Sequence, residues 1–517
     1  MPTLQRTVSY PSTHRDRGAR SHPVPRSRRA WGVAALLLVL IGWYGLRLAA
    51  FLAYAVRAVA DPFELNYGEG IVWQQMAMIP GPSMYGPIDH APFIVFHYPP
   101  VYHLVVHALA WFGADPLAAG RGVSVVATWV LAASLGWIAG QAAPSSRGSA
   151  AFGGVIAALS VFTFQPVLAF AALMRVDLLG MALSVLGLTL GVLSLRRPRL
   201  LYAAVLLFVV ALFTKQTLVA APVAVLCVWL MRDPGLALRA LGLGVLLGLA
   251  ALLALEWVTD GGFLRHIILY NINRFEWRRA YWAVVHQRRY VVILAVTLGM
   301  IGLALWQGRR RLAALADDAP AFVMLVLQFC IAGAMIATAG KYGAAANYFM
   351  EALCLCGVFA GMAVAAALDV AARPGGPRAP ALLLLAALMT QIALSPLPPT
   401  VPLDNPDRAR DMAALLAEMR ASAKPVLSDD MVLPMRAGLG VTIEPMIFAD
   451  LTALGQWDPR GYKDLVDREV FSFVLTEDPP GDPEYEERYQ PAIRGAIAAH
   501  YPVVTRAAGY YLHRPGR

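Results

Sequence analysis

Residues 61–107 read DPFELNYGEGIVWQQMAMIPGPSMYGPIDHAPFIVFHYPPVYHLVVH. This is the first long break after the first hydrophobic helix. It carries Glu64 and Glu69, four histidines, a Tyr-Pro-Pro and aromatic residues throughout. Almost everything that follows, as far as residue 395, is apolar. A polar, aromatic loop mounted on an apolar body points to a site at a membrane surface.

Outward from that loop, the 517-residue chain is 58% hydrophobic and 15% charged, whereas a soluble domain is roughly a quarter charged. Apolar runs of about 17–25 residues recur between residues 31 and 395. The expected fold is an all-α polytopic membrane bundle over residues 30–398, with about eleven spans, followed by a soluble α/β domain over residues 404–517. Residues 1–29 form a basic tail that reads as cytoplasmic, and residues 57–112 form the first outside loop. The net charge is +10, but residues 404–517 hold 13 basic and 18 acidic side chains, which leaves the basicity in the membrane part. That pattern suits cytoplasmic anchoring and contact with anionic membrane lipids, and gives no reason to invoke nucleic acid. Cys227, Cys330, Cys354 and Cys356 all fall in apolar segments without metal or disulfide spacing.

The run 200–231 is too long for one span and is interrupted by Thr214-Lys215-Gln216-Thr217. It reads as two short helices that meet at a surface, because a lysine at mid-bilayer costs a few kcal/mol. If residues 101–112 only dip into the interface, Arg147, Arg196, Arg197, Arg199, Arg232, Arg239, Arg309–Arg311, Arg373 and Arg378 all fall inside. Asp177 and Lys215 then lie outside with the first loop, in an inner or plasma membrane with the N-terminus cytoplasmic and the C-terminal domain extracytoplasmic. The outside segment 259–289 holds Arg265, Arg274, Arg278, Arg279, Arg288 and Arg289 among Trp277, Tyr281 and Trp282. Headgroup anchoring explains so many outside arginines, and so does binding of a phosphorylated lipid. In the tail, helices are expected at 407–421 and 491–500, strands at 425–428, 441–444 and 471–476, and a strand or hairpin at 503–513.

The first loop supplies two acids, and either could act as a general base at an outer membrane surface. Asp177 stands at a helix start, where an N-cap is the plain alternative. Lys215 either snorkels to the surface or neutralises a phosphate. His103 and His107 lie four apart and with His97 and the acids could hold a divalent metal. With no HExxH or other tight ligand pattern, no metal ligand and no cofactor is assigned. A second polar cluster, Lys341 to Glu351, includes Asn347 and Tyr348. Its Glu351 is either paired within the bundle or lines a groove. These parts suit transfer of a sugar from a polyprenyl phosphate. The leaving group is already a good anion, one carboxylate takes the acceptor's proton, and cations hold the departing phosphate.

Four short motifs carry a family likeness: Glu69-Gly70-Ile71, Tyr98-Pro99-Pro100-Val101-Tyr102, Arg175-Val176-Asp177-Leu178-Leu179 and Phe213-Thr214-Lys215-Gln216-Thr217. In this order, after a first helix, they resemble the GT-C glycosyltransferases, nearest to the protein mannosyltransferase and lipid A aminoarabinose transferase group. The resemblance is best over residues 31–220. It implies a polyprenyl-phosphate sugar donor, inverting transfer and an active site on the non-cytoplasmic face. It also implies Asp-Glu where this chain has Gly68-Glu69, and a charged-Lys-Pro-Pro where it has His97-Tyr98-Pro99-Pro100. By resemblance, Glu69 matches the second acid and Glu64 stands in for the base.

The expected activity is therefore sugar transfer from a polyprenyl-phosphate donor to an envelope glycan, lipid or protein. Glu69 and Glu64 are assigned to base and acceptor contacts and Asp177 to positioning. Lys215, Arg274, Arg278 and Lys341 are assigned to the donor phosphate, and Tyr67, His97, Tyr98, Asn347, Tyr348 and Glu351 to substrate contacts. The alternatives are a polytopic transporter or lipid flippase, and a non-catalytic envelope scaffold.

Overall fold

The computed structural model describes residues 28–307, 317–401 and 406–516. The basic segment 1–27 and Arg309–Arg311, both expected on the cytoplasmic side, lie outside the described residues.

The apolar runs form helices because in a bilayer every backbone polar group must be satisfied within its own segment. Among the described residues, seven helices are long and apolar enough to cross a membrane: Gly32–Ala60, Pro116–Ala142, Asp177–Ser194, Pro234–Val258, Arg288–Trp306, Pro320–Gly340 and Ala346–Ala372. Five shorter apolar helices of 10–17 residues join them, Val101–Trp111 among them. Length and composition thus qualify seven spans, and the expected count of about eleven is not established. The run 200–231 is indeed two helices, Leu200–Leu212 and Ala220–Arg232, with Lys215 in the break between them.

Pro116–Ala142, Asp177–Ser194 and Ala346–Ala372 form the interior of the bundle. Pro234–Val258 lies outside it and leaves Leu238, Leu246, Leu249 and Leu253 exposed, a face suited to lipid. Helices Arg147–Ser160 and Met350–Ala372 pack at glycines. A Cβ on Gly153 would overlap the carbonyl oxygen of Gly361, and a Cβ on Gly361 would overlap that of Gly153. Small residues are what allow such close backbone approach in a membrane. Gly361→Ala is therefore expected to destabilise the bundle by about 1–3 kcal/mol, read as a lower unfolding temperature of the detergent-solubilised protein.

The C-terminal region holds a four-stranded sheet in the order β1 (Leu427–Ser428), β2 (Val474–Thr476), β4 (Tyr510–Arg514), β3 (Val503–Ala507). β1 and β2 are parallel, and the other two pairs are antiparallel. Helices Pro406–Ala421 and Pro491–His500 and the β3–β4 hairpin fall where the sequence places them. The strand expected at 441–444 does not join this sheet. Ile443 instead forms an isolated bridge with Phe93 of the first loop, and the Phe93 amide donates to Thr442 O at 2.8 Å.

That bridge marks a broader union. Ile88, Phe93 and Val95 share a core with Leu427, Ile443, Phe448 and Tyr489. Ile71, Phe96 and Tyr102 share another with Met174, Met431 and Val432. The first loop is thus packed between the bundle and the C-terminal domain. The segment 259–289 is also ordered, with helices Gly262–Ile267 and Trp277–His286. Trp277, Tyr281 and Trp282 on the second are exposed, the residue types of a membrane interface.

Candidate active site

A cavity of about 760 Å³ opens where the first loop, the Lys215 break, segment 267–274, segment 341–348 and the C-terminal domain meet. Tyr67, His97, Tyr98, Lys215, Arg274, Lys341, Asn347 and Tyr348 line it. These eight residues, chosen from four distant stretches of sequence, are brought to one place.

The cationic wall is built around Asp177. Its Oδ1 accepts from Lys215 Nζ at 2.5 Å and from Asn347 Nδ2 at 2.7 Å. Arg175 Nε stands 3.9 Å from its Oδ2. The N-cap alternative for Asp177 is overturned: Val176 is the N-cap, without a side-chain cap bond, and Asp177 instead orients the cations from just behind the wall. Arg175 Nη1 also donates to Tyr67 O at 3.2 Å. Gly68 has φ +99°, and a Cβ there would lie 2.5 Å from Arg175 Nη1. The Arg175 guanidinium thus fills the space that a side chain at position 68 would need. Lys341 lines the cavity as well and makes no side-chain hydrogen bond or ion pair among the described residues. Arg274 Nε binds Asp450 Oδ1 at 2.5 Å, and its guanidinium lies 4.0 Å from the centre of the Tyr342 ring.

Four buried polar atoms around this wall, Arg175 Nε, Asp177 Oδ2, Gln216 Oε1 and Asn347 Oδ1, have no hydrogen-bond partner among the described residues. Buried polar groups are normally satisfied, so a wall with several unsatisfied atoms is chemically prepared for a polar ligand.

The two acids of the first loop lie elsewhere. Glu69 is fully buried and forms a two-toothed pair with Arg121, Nε to Oε1 at 2.8 Å and Nη2 to Oε2 at 2.6 Å. It also accepts from Leu65 N and Met174 N. Glu64 accepts from Gly68 N at 3.0 Å and Gly70 N at 3.3 Å through Oε1, and from Met431 N at 2.8 Å through Oε2. Burial, then the nearby Asp430 and Glu69, push the Glu64 carboxyl well above the usual range. Both acids spend their oxygens on the scaffold, and neither is among the residues lining the cavity. Arg278 is exposed and off the cavity. Its neighbour Arg279 turns inward, with its guanidinium 3.6 Å from the Tyr342 ring centre and Nη2 2.8 Å from Glu487. Glu351 also lies off the cavity, where it accepts from Gln328 Nε2 at 2.8 Å.

The histidines do not form a metal set. His103 is fully buried against Gln75, and no group of three His, Cys, Asp or Glu side chains suited to a metal occurs among the described residues.

Residues absent from the expected site complete the wall. Arg175 stands in the quoted Arg-x-Asp motif, and that spacing was signal enough to include it. Glu444, Asp450 and Glu487 come from the C-terminal domain, and no local pattern in the tail announces them.

His266 supports the cavity rim. Its Nδ1 accepts from Phe96 N at 3.0 Å, and its Nε2 faces Gly86 O at 2.7 Å, which fixes a neutral ring with the proton on Nε2. Burial pushes its pKa down to about 4. Between that value and the unfolded value of about 6.5, the unfolded chain holds a proton that the folded chain does not. Stability therefore falls as pH drops through this window. His266→Gln is expected to flatten the fall in unfolding temperature between about pH 6.5 and 4.

This helical membrane bundle with a polar cavity and a C-terminal α/β domain shares its fold with solved structures of low sequence identity. The solved structure of ArnT from Cupriavidus metallidurans in the apo state matches with a TM-score of 0.55 and 15% identity, over 92% of this chain and 98% of that one. The same protein bound to undecaprenyl phosphate matches with a TM-score of 0.55 and 14% identity, over 91% and 98%. The archaeal oligosaccharyltransferase AglB from Archaeoglobus fulgidus, in complex with an inhibitory peptide and a dolichol-phosphate, gives 0.45 and 11%, over 88% and 72%. No protein-family model and no curated protein matches this chain.

Proposed function

We propose that this multi-pass membrane protein is a glycosyltransferase. It takes a sugar from a polyprenyl-phosphate donor and passes it, with inversion, to an acceptor outside the cytoplasm: an envelope glycan, a lipid or a protein. The observation that carries this reading is the cationic wall of the cavity, where Arg175, Lys215, Arg274 and Lys341 converge beside the membrane bundle. A phosphate leaving group needs this arrangement, because fixed cations stabilise the charge that develops as the glycosidic bond breaks. ArnT, of the same fold, binds undecaprenyl phosphate.

In this reading Lys215, Lys341 and Arg175 hold the donor phosphate and Asp177 aims Lys215. Arg274, tied to Asp450, fixes the cavity's outer edge. Tyr67, His97, Tyr98, Asn347 and Tyr348 shape the sugar and acceptor subsites. Glu64 and Glu69 hold the first loop in the form that presents these residues. The cavity faces outward, with the N-terminus cytoplasmic and the C-terminal domain extracytoplasmic.

The test is turnover by the purified full chain in lipid nanodiscs, supplied with polyprenyl-phosphate sugars of defined anomeric configuration. Release of polyprenyl phosphate with a product of inverted configuration is the expected result. Undecaprenyl phosphate carried between vesicle leaflets, with no sugar transferred, would favour a flippase and overturn the reading.

A further inference from the structure

The proposed transfer still needs a base, and neither acid of the first loop reaches the cavity. Three carboxylates of the C-terminal domain, Glu444, Asp450 and Glu487, line it. Two are held by arginines: Asp450 by Arg274 at 2.5 Å and Glu487 by Arg279 at 2.8 Å. An acid so paired is a weakened proton acceptor.

Glu444 differs. Its Oε2 accepts from Ile447 N at 2.8 Å, which caps helix Pro445–Ala453. Its Oε1 accepts from the hydroxyl of Tyr67. Tyr67 is half-buried and Glu444 is 2% exposed, and both line the cavity. The Arg488 guanidinium lies 4.8 Å from the Tyr67 ring centre and braces the ring. Tyr67 and Glu444 thus form a hydrogen-bonded pair on the lining of the cavity, where a substrate would lie.

Resting on the glycosyltransferase reading, we propose that Glu444 is the terminal base of the transfer, reached through the Tyr67 hydroxyl, so that the C-terminal domain completes the active site. The acceptor hydroxyl oxygen attacks the anomeric carbon and forms the new C–O bond. The bond between that carbon and the phosphate oxygen breaks, and its electron pair leaves with the polyprenyl phosphate. The acceptor proton passes to the Tyr67 oxygen as the Tyr67 proton passes to Glu444. Tyr67 never needs to exist as a free phenolate, because it gains one proton as it gives up another. Burial holds the Glu444 carboxyl above the usual range, against the downward pull of the Tyr67 hydroxyl, the Ile447 and Met446 amides and the nearby Arg488 charge, and a carboxylate held above that range accepts a proton more readily than a surface glutamate. Position 68 is a glycine at φ +99° with Arg175 Nη1 2.5 Å from its Cβ site, and it supplies no acid to the cavity.

The experiment compares wild type, Glu444→Gln and Tyr67→Phe as full chains in nanodiscs. Each variant is expected to lose about 10²-fold or more in kcat, with undecaprenyl phosphate affinity unchanged; the unfolding temperature is expected to stay that of wild type in Glu444→Gln and to fall in Tyr67→Phe, which leaves the buried Glu444 oxygen without its hydroxyl donor. The glutamine amide oxygen still caps the Ile447 amide, so a purely structural role predicts little loss. The double variant is expected to be no slower than the slower single one, since the two groups act as a unit. The acid limb of the kcat–pH profile, present in wild type, disappears from the residual rate of Glu444→Gln. An active wild type with either variant at full kcat overturns the relay and leaves the glycosyltransferase reading intact. A wild type that neither binds undecaprenyl phosphate nor transfers a sugar overturns both.

Discussion

Replacing Glu69 with alanine is expected to cost about 3–5 kcal/mol of stability. The carboxylate and the Arg121 guanidinium are both completely inaccessible, so removing one leaves the other charged and buried. Arg121 also donates to Ala58 O at 2.7 Å, Asp61 O at 2.6 Å and Phe63 O at 2.7 Å. It ties the end of the first membrane helix to the first loop, and without its counter-charge that junction loosens. The unfolding temperature of the solubilised protein is the readout. A catalytic base would behave differently, with turnover lost and stability kept. The double variant Glu69→Leu/Arg121→Met is expected to be more stable than either single change, since no buried charge is left alone. If Glu69→Ala melts with the wild type and fails only in turnover, the scaffold role is wrong.

Lys215→Ala carries the second large effect, and it falls on chemistry. The lysine sits in the break between two short helices, where no continuous span has to carry its charge through lipid. Its side chain is 14% exposed, and its ammonium is held by Asp177, whose side chain is 1% exposed. Removing one pre-positioned cation from a developing anion costs about 10²–10³ in rate. A loss of that size in kcat/KM is expected for transfer from a polyprenyl-phosphate sugar. Lys215→Arg keeps the charge but not the compact head that fits between Asp177 and the cavity, so only part of the rate returns. Asp177→Asn is expected to be milder than Lys215→Ala, because Lys215 keeps its charge and Asn347 remains beside it. Equal activity of Lys215→Ala and wild type would remove the lysine from the donor site.

Where the sequence spoke clearly, it did so through local physics. A charged tetrapeptide inside a long apolar run can only be a break, and residues 213–219 are one. Proline at the helix start marks Pro491–His500. The cations Lys215 and Lys341 stood out because apolar surroundings make an isolated charge conspicuous. The residues that lie off the cavity depend on partners distant in sequence. Glu69 is explained by Arg121, 52 positions away, and Glu64 by Met431, 367 away. Neither pairing leaves a trace in spacing. Segment 441–444 has a strand's composition, but its bridge partner is Phe93 in the first loop. Arg278 and Arg279 are adjacent on a helix, so they point about 100° apart, and only packing against Tyr342 decides which turns inward. Glu444 and Tyr67 meet across 377 positions, so the proposed base was illegible for the same reason.

The cationic wall is expected to bind a polyprenyl phosphate, and Lys341 is the residue at which to test this, because its side chain supports nothing else. It has no side-chain partner among the described residues, so its removal should leave the fold untouched. Equilibrium binding of undecaprenyl phosphate to wild type and to Lys341→Ala in nanodiscs is the decisive measurement. The predicted result is wild-type binding, and a loss of about 10–100-fold in Lys341→Ala at an unchanged unfolding temperature, the value of one charge-assisted hydrogen bond. Absence of binding by wild type, or equal affinity in the two proteins, would contradict the account.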